Sequence, residues 1–188
     1  IQEENADVEF GYFVDTVISD TPSAIRVFSQ TKDISTFELV SGALPTKSNE
    51  VALASTMTDQ YKVGDTIRLN ESGSNTLLKE HEFTITGFVN SSELLSKTIK
   101  GVSSAGSGDL SGFAVVPKDA FDSEVYTIAR LRYPNLRKWK TTSREYSDKV
   151  VELQQALEEK LADNGTTRLD TLKTTADDKI SEGKEKIA

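Results

Sequence analysis

The chain offers few of the side chains that enzymes use as nucleophiles, bases or metal ligands. It contains no cysteine, which excludes thiolate nucleophiles, disulfides and thiolate zinc sites. Its single histidine, His81, lies among charged residues just before a predicted strand. A Ser–His–Asp triad would have to use this one imidazole, and a multi-histidine metal site cannot form. We interpret His81 as a solvent-facing residue and predict no catalytic, metal or cofactor site.

A segment rich in glycine and serine, residues 101–108, has the composition of a catalytic or phosphate-binding loop but not its spacing. The nucleophile elbow requires G-x-S-x-G, whereas Gly101 and Ser103 are followed by Ala105. The G-x-x-x-x-G-K-[ST] phosphate pattern is absent from the sequence as well. We therefore predict a surface loop, whose serines remain candidates for contact with a partner: Ser103, Ser104 and Ser107.

Basic and aromatic residues are interleaved in one segment of an otherwise acidic chain. One hypothesis is a contact surface for an anionic partner, such as lipid headgroups, teichoic acid or an acidic protein face. The preferred interpretation is a polar strand-to-helix loop whose tryptophan covers an edge of the core. The residues concerned are Arg130, Arg132, Arg137, Lys138, Trp139 and Lys140, with Tyr133 among them.

Composition limits the class of protein. The 188 residues carry a net charge of -8, which argues against a nucleic-acid partner because phosphate binding needs excess Lys and Arg. Hydrophobic residues make up 36% of the chain, enough for a modest core in one domain or two small lobes. The final residues, Lys186–Ala188, stand inside a helical pattern, so we expect the chain to be a segment of a longer protein.

Apolar residues at alternate positions predict a strand-rich region over the first two thirds of the chain. The first two of these strands form a plausible antiparallel pair, because a turn at residues 20–23 separates them. The predicted strands are Val8–Ile18, Ala24–Gln30, Glu50–Ala54, Thr66–Asn70, Glu82–Val89, Gly112–Pro117 and Glu124–Tyr133.

The last third changes to helical spacing. A helix is predicted over Thr142–Asp163, with Thr142 and Glu145 as a capping box and Asn164–Gly165 as its stop. A second helical pattern follows and is interpreted as the first arm of a coiled coil or helical hairpin, the alternative being a solvated helix. Its narrow stripe consists of Leu169, Leu172, Ala176, Ile180, Gly183 and Ile187.

An ordered set of motifs resembles a known family. The segments are Phe37–Pro45, Asn49–Leu53, Lys62–Leu69, Phe83–Val89 and Phe113–Pro117. In this order they resemble the extracytoplasmic core of FtsX/MacB-like ABC transporter permeases, and the resemblance covers roughly residues 8 to 165. Ala43 departs from the pattern, because many members carry arginine there. The terminal helical pattern is similar to Gram-positive members with a coiled-coil insertion.

The resemblance implies an α+β fold with the two-lobed architecture of a MacB-like periplasmic core. A split α/β lobe would comprise residues 1–37 and 122–165, and a β-rich lobe, residues 38–121, would be inserted between them. Residues 166–188 would start a coiled-coil arm.

The resemblance also implies a non-enzymatic domain on the extracellular side of the cell membrane. Such a domain relays an ATP-driven conformational change to an extracellular substrate or partner protein. The expected partners are a cytoplasmic ABC ATPase subunit, an extracellular protein such as a cell-wall hydrolase or lipoprotein, and a second copy in a dimeric transporter. The alternative function is a free-standing cell-surface adhesin or ligand-binding module. Neither requires a cofactor.

Overall fold

The structure, a computed structural model, describes residues 6–71, 76–96 and 101–185. They divide into a barrel unit, Asp7–Arg132, and a helical unit that begins at Tyr133. The strands are β1 (Asp7–Gly11), β2 (Phe13–Ile18), β3 (Ala24–Ser29), β4 (Glu38–Gly42), β5 (Glu50–Ala54), β6 (Thr66–Glu71), β7 (Glu82–Asn90), β8 (Leu110–Val116) and β9 (Ile128–Arg132). The 3-10 helices are Ser55–Met57, Lys118–Ala120 and Pro134–Lys138, and the α-helices are α1 (Arg144–Leu161) and α2 (Asn164–Glu185).

Six strands close into a barrel in the order β7-β5-β8-β3-β2-β6, because β6 pairs again with β7. The pairs β3–β8 and β5–β7 are parallel, and the other four are antiparallel. One edge of β7 is shared, since β6 pairs with residues 82–84 and β4 pairs with residues 87–90. A separate two-stranded sheet consists of β1 and β9.

The barrel interior holds the core. Alternate side chains of β6 and β7 are buried, as expected for strands with one face toward an apolar interior. The central strands β5 and β8 are buried at nearly every position. The largest fully buried side chains come from β3, β5, β6 and β7: Ile25, Leu53, Leu69 and Phe83. One continuous core therefore joins strands from the first quarter of the chain to strands from its middle.

The two-lobed architecture predicted from the resemblance is wrong. Strand β3 lies within residues 1–37, and it pairs along its length with β8 of residues 38–121. Strand β2 likewise pairs with β6. Because Ile25 and Phe28 share a core with Leu53 and Phe113, the two segments cannot bury separate apolar faces. The boundaries expected at 37/38 and 121/122 both fall inside the barrel unit.

The predicted long strand Val8–Ile18 is two strands. At Tyr12 the backbone N–H donates to Ser29 Oγ at 2.9 Å, and the Ser29 N–H donates to Tyr12 O at 2.9 Å. The chain thus leaves β9 after Gly11 and joins β3 from Phe13 onward. Apolar alternation continues through this change of partner, so the sequence pattern does not reveal it. The predicted antiparallel pairing of the first two strands is confirmed for β2 and β3.

The helical unit begins with a short 3-10 segment that packs on α1. Tyr133 and Leu136 line a shallow apolar pocket of about 190 Å³ with Val150, Leu153 and Leu157 of α1. The apolar stripe of the predicted helix Thr142–Asp163 needs a surface to pack on, and the sequence favours the sheet. The contact that the structure describes for this stripe is with Tyr133 and Leu136, immediately before the helix.

The helix ends differ from the prediction by one or two residues. Ser143 is the N-cap of α1, because its side-chain oxygen accepts the Tyr146 N–H at 3.2 Å. The predicted Thr142–Glu145 capping box is therefore wrong by one position. Asn164 and Gly165 do not end the helical segment, since α2 begins at Asn164. Only two residues separate this start from the end of α1 at Leu161. Ala162 between them keeps a helical conformation.

The predicted coiled-coil arm is replaced by a single helix. Every described side chain of α2, through Ile180, is exposed, including Leu169 and Leu172. Within the described residues no second helix covers this stripe, and Ile187 lies outside them. Neither helix, over its described length, combines the length and apolar character that a bilayer span requires.

Candidate functional site

The glycines of the family-like motifs allow β4 to approach β7 closely. Gly42 has φ +76°, and a Cβ there would lie 2.3 Å from Thr86 O. A Cβ on Gly87, its partner in the β4–β7 pair, would lie 2.5 Å from Ala43 O. The Ala43 N–H donates to Thr86 O at 2.8 Å, which closes the contact. A glycine inside the predicted strand Glu82–Val89 indicates a β-bulge or a close backbone approach, and the structure shows the close approach at Gly87.

The Val63–Gly64–Asp65 motif predicts a tight turn in which the aspartate bonds nearby backbone amides, and the turn before β6 has this structure. Gly64 has φ +96°, a conformation that glycine adopts without strain. Asp65 Oδ2 accepts the Lys62 N–H at 2.8 Å, and the Gly64 N–H donates to Ile85 O at 2.8 Å. The Val63–Gly64–Asp65 motif therefore attaches the turn to β7 and carries no exposed reactive group.

Glu50 fixes the turn that precedes β5. Its Oε2 accepts the backbone N–H of Thr46 at 2.8 Å and that of Lys47 at 3.1 Å. The Thr46 bond contributes most to a lowering of the pKa of Glu50 from an ordinary 4.5 to about 2, while burial opposes the shift. The Glu50 carboxylate thus has a structural role, in which it binds the backbone N–H groups of Thr46 and Lys47.

The substitution Glu50→Gln should lower the stability of the barrel unit in a pH-dependent way. A carboxylate whose pKa is depressed on folding stabilises the native state above its unfolded pKa of 4.5. That contribution is lost as the pH falls from 4.5 toward about 2. Urea unfolding midpoints at neutral and acidic pH would test this, with Glu80→Gln as a control for the loss of one negative charge. An equal difference between Glu50→Gln and the parent at every pH would contradict it.

Arg130 is the only arginine with almost no exposure among the described residues, at 6%. It forms a bidentate ion pair with Glu93: Nε donates to Oε1, and Nη2 donates to Oε2 at 3.1 Å. Its guanidinium carbon lies 5.6 Å from the centre of the Phe28 ring. Nη1 is buried and has no hydrogen-bond partner in the described part of the chain. The predicted anion contact through Arg130 would therefore have to displace Glu93.

Glu9 lies directly opposite Arg130 in the β1–β9 pair. Its carboxylate accepts the backbone N–H groups of Lys32 at 2.6 Å and Ile34 at 2.7 Å, with Asp33 between them at 3.0 Å. Burial raises the pKa of Glu9, but these three bonds and the charge of Arg130 outweigh it, so the net pKa is lowered. Together, Glu9 and Arg130 attach two loops, residues 31–35 and 91–96, to one small sheet.

The basic–aromatic segment is divided between the two units. Arg132 belongs to β9, where it pairs with Asp7 at 2.9 Å and donates to Asp33 O at 3.0 Å. The other members lie in the helical unit, where Lys138 Nζ stands 4.1 Å from the centre of the Trp139 ring. The members in the helical unit are Arg137, Lys138, Trp139 and Lys140. Partner contact by any of these residues remains a prediction.

The serine-containing loop is attached to the barrel by its first serine. Ser103 is buried, and its Oγ accepts the Ala105 N–H at 3.0 Å. Burial raises the pKa of Asp15, but bonds from Arg26, Ser103 and Ser104 lower it overall, so the loop is tied to β2. Ser107 is exposed at the loop tip. Of the three predicted contact serines, Ser104 and Ser107 are accessible to a partner.

A polar cleft of about 440 Å³ lies at the ends of β5 and β7. Ser55 Oγ donates to Asn90 Oδ1 at 2.6 Å, and Asn90 Nδ2 donates to Glu38 Oε2 at 3.2 Å. The cleft combines these groups with the apolar walls Leu94 and Phe113. The polar side chains of Ser55, Asn90 and Glu38 are thus engaged with one another.

A second groove, of about 590 Å³, follows β1 and was missed by sequence reasoning. Phe10 and Tyr126 stack with ring centres 5.4 Å apart, and they are 48% and 45% exposed. Lys118 Nζ lies 4.3 Å from the centre of the Tyr126 ring and donates to Phe10 O at 3.1 Å. The alternation Val8–Phe10–Tyr12 predicts one shared face, but Tyr12 is buried while Phe10 is exposed, and no sequence signal distinguishes them.

The described residues hold no group of three or more His, Asp or Glu side chains arranged to bind a metal ion. His81 Nδ1 lies 3.2 Å from Leu69 O, so the imidazole is engaged with the β6 backbone. No family model, curated protein or solved structure matches the chain. Two features remain for a functional interpretation: the groove along β1 and the exposed helical segment.

Proposed function

We propose that the chain is the non-enzymatic extracellular domain of an ABC transporter permease subunit. In this role it relays an ATP-driven conformational change to an extracellular substrate or partner protein. The ordered motifs of the sequence support the family, and the contacts of their residues support a scaffold role. The proposal does not depend on the two-lobed architecture, which the barrel replaces.

The observation that carries the proposal is the contrast between a closed barrel and an exposed helical segment. The barrel is fixed by a continuous core and by close strand contacts at Gly42 and Gly87. The helix α2 exposes every described side chain, several of them large and apolar: Leu169, Leu172 and Ile180. Conformational relays in proteins use rigid-body movements and shifts of helices, and a barrel with a continuous core and a helix with exposed apolar side chains are suited to these two roles.

Distance measurements in the complete transporter test this function. This chain has no cysteine, so it adds no background to the labelling of cysteines introduced into it. The pair Thr66→Cys and Thr175→Cys reports the barrel unit against α2, and both positions are exposed. We expect the distance distribution of this pair to change between the nucleotide-free and ATP-bound transporter.

A matched pair within the barrel unit, Thr66→Cys and Asp122→Cys, should keep one distance distribution in both states. Unchanged distributions for both pairs would overturn the relay. A complete reading frame that encodes no membrane-spanning helix would overturn the assignment to a permease and favour the free-standing adhesin or ligand-binding module.

A further inference from the structure

The strand β1 has a free edge. In the described part of the chain it pairs with β9 alone. Phe10 O accepts a hydrogen bond from Lys118 Nζ, so this carbonyl points away from β9. In an antiparallel pair the main-chain groups of residues two apart point in the same direction, so Val8 directs its N–H and C=O outward as well. Such an edge can pair with another extended segment.

The 590 Å³ groove provides room beside that edge. Four successive β1 residues, Asp7 to Phe10, line it, and successive strand residues face opposite sides of a sheet. The groove therefore reaches the outer edge of β1, and it also touches Arg132 of β9. Its opposite wall is formed by residues 30–34, which the Glu9 carboxylate holds in place. The volume falls in the range of pockets that enclose a bound ligand.

One lysine of the groove favours an occupant with an acidic side chain. Asp7 is paired with Arg132, and the Glu9 carboxylate accepts three backbone N–H groups. The contacts of the Lys118 ammonium group within the described residues, by contrast, are a carbonyl and an aromatic ring, both neutral. Among the described residues no carboxylate pairs with the Lys118 ammonium group, which is therefore available to an acidic side chain of an occupant.

The exposed Phe10–Tyr126 stack lies next to Lys118 and offers an apolar surface to a neighbouring side chain. Exposed aromatic rings beside a cation are typical of the central contacts of binding surfaces. A second copy of this chain is a poorer occupant, because the acidic groups of its own β1, Asp7 and Glu9, already have partners.

We propose that the outer edge of β1 binds an extended, acidic segment of a partner protein as a third strand of the β1–β9 sheet. Its backbone pairs with Val8 and Phe10, an acidic side chain pairs with Lys118, and an adjacent apolar side chain packs on Phe10 and Tyr126. This mode of recognition combines main-chain hydrogen bonds with side-chain selection. The inference rests on the proposed function only for the source of the segment, an extracellular partner.

The test uses the chain itself and a phage-displayed library of random dodecapeptides as the probe. We expect enriched peptides to combine strand-forming residues with an acid next to an apolar residue. Synthetic forms of these peptides should bind the Lys118→Glu variant about tenfold more weakly than the parent chain. Their affinity should be unchanged for Lys118→Arg and for Lys62→Glu, a control outside the groove. Bound peptide should slow amide hydrogen exchange at Val8 and Phe10, and N-methylation of the peptide should weaken binding at alternate positions only.

Three outcomes would overturn the proposal. They are a library without enrichment, enriched peptides that protect amides elsewhere and not those of β1, and N-methylation effects without alternation. Self-association that competes with peptide would instead identify a second copy as the occupant and overturn the acidic-partner assignment. All of these experiments need neither ATP nor a membrane, so their failure is distinguishable from failure of the relay.

Discussion

Replacing Gly87 with alanine should lower the free energy of unfolding of the barrel unit by about 3 kcal/mol, at the upper end of the usual cost of overpacking. The added Cβ would lie 2.5 Å from Ala43 O, 2.8 Å from Ser41 O and 2.9 Å from Ala43 N. All three are backbone atoms, so no side-chain rotation can relieve the contact. Strand β4 would have to separate from β7, which also carries the closing pair of the barrel with β6.

Urea unfolding followed by circular dichroism measures this effect, and Gly64→Ala is the matched control. Gly64 has φ +96° and no atom within 4 Å of its Cβ position, so alanine there adds only left-handed backbone strain of about 1 kcal/mol. Trp139 lies in the helical unit, and its fluorescence gives a separate readout for that unit. Equal destabilisation by the two variants would show that close contact at Gly87 contributes nothing.

The sequence predicts a strand correctly where that strand exposes one face and buries the other. The first half of β7 follows this rule, since Phe83 and Ile85 are buried while Glu82 and Thr84 are exposed. Closure of the barrel could not be predicted, because it depends on three residue pairs between β6 and β7, including Ile67 with Phe83. Alternation specifies which side chains face the core and leaves open which strands become neighbours.

The family resemblance predicted the wrong fold for a related physical reason. The turn at Gly64–Asp65 and the close contact at Gly87 have the local structure predicted for them. The motifs that contain these glycines, Lys62–Leu69 and Phe83–Val89, specify a turn and a strand contact, and they contain no information on where β2 and β3 pair. The parallel pairing of β3 with β8, over residues 24–29 and 110–116, then joins segments that were expected to form separate lobes.

Side-chain roles were hardest to predict where the partner is distant in sequence. The residues around Arg130 in the sequence have the composition of an exposed basic segment. Arg130 is nevertheless buried, in an ion pair with Glu93, which lies 37 residues earlier. Arg132, two residues later on the same face, remains partly exposed in its pair with Asp7. Sequence spacing along β9 cannot distinguish these two arginines, because the difference is made by the loop that carries Glu93.

The substitution Glu93→Gln should lower the free energy of unfolding of the barrel unit by about 2 kcal/mol. Removal of one partner leaves the Arg130 guanidinium, with 5% of its side chain exposed, without its bidentate carboxylate. The cost stays below that of a fully buried pair, because Glu93 is 28% exposed and the carboxylate of Glu9 lies nearby. Amide hydrogen exchange should also accelerate in residues 91–96, which the ion pair attaches to β9.

The exposed pair of the same sheet provides the comparison. Asp7→Asn removes the partner of Arg132, but the two side chains are 49% and 41% exposed, so we expect a cost of about 0.5 kcal/mol. Substituting both Glu93 and Arg130, by Gln and Met, should cost less than the sum of the single changes, since no unpaired charge remains buried. Equal costs for Glu93→Gln and Asp7→Asn, or full additivity in the double variant, would mean that burial of Arg130 does not make the ion pair important for stability.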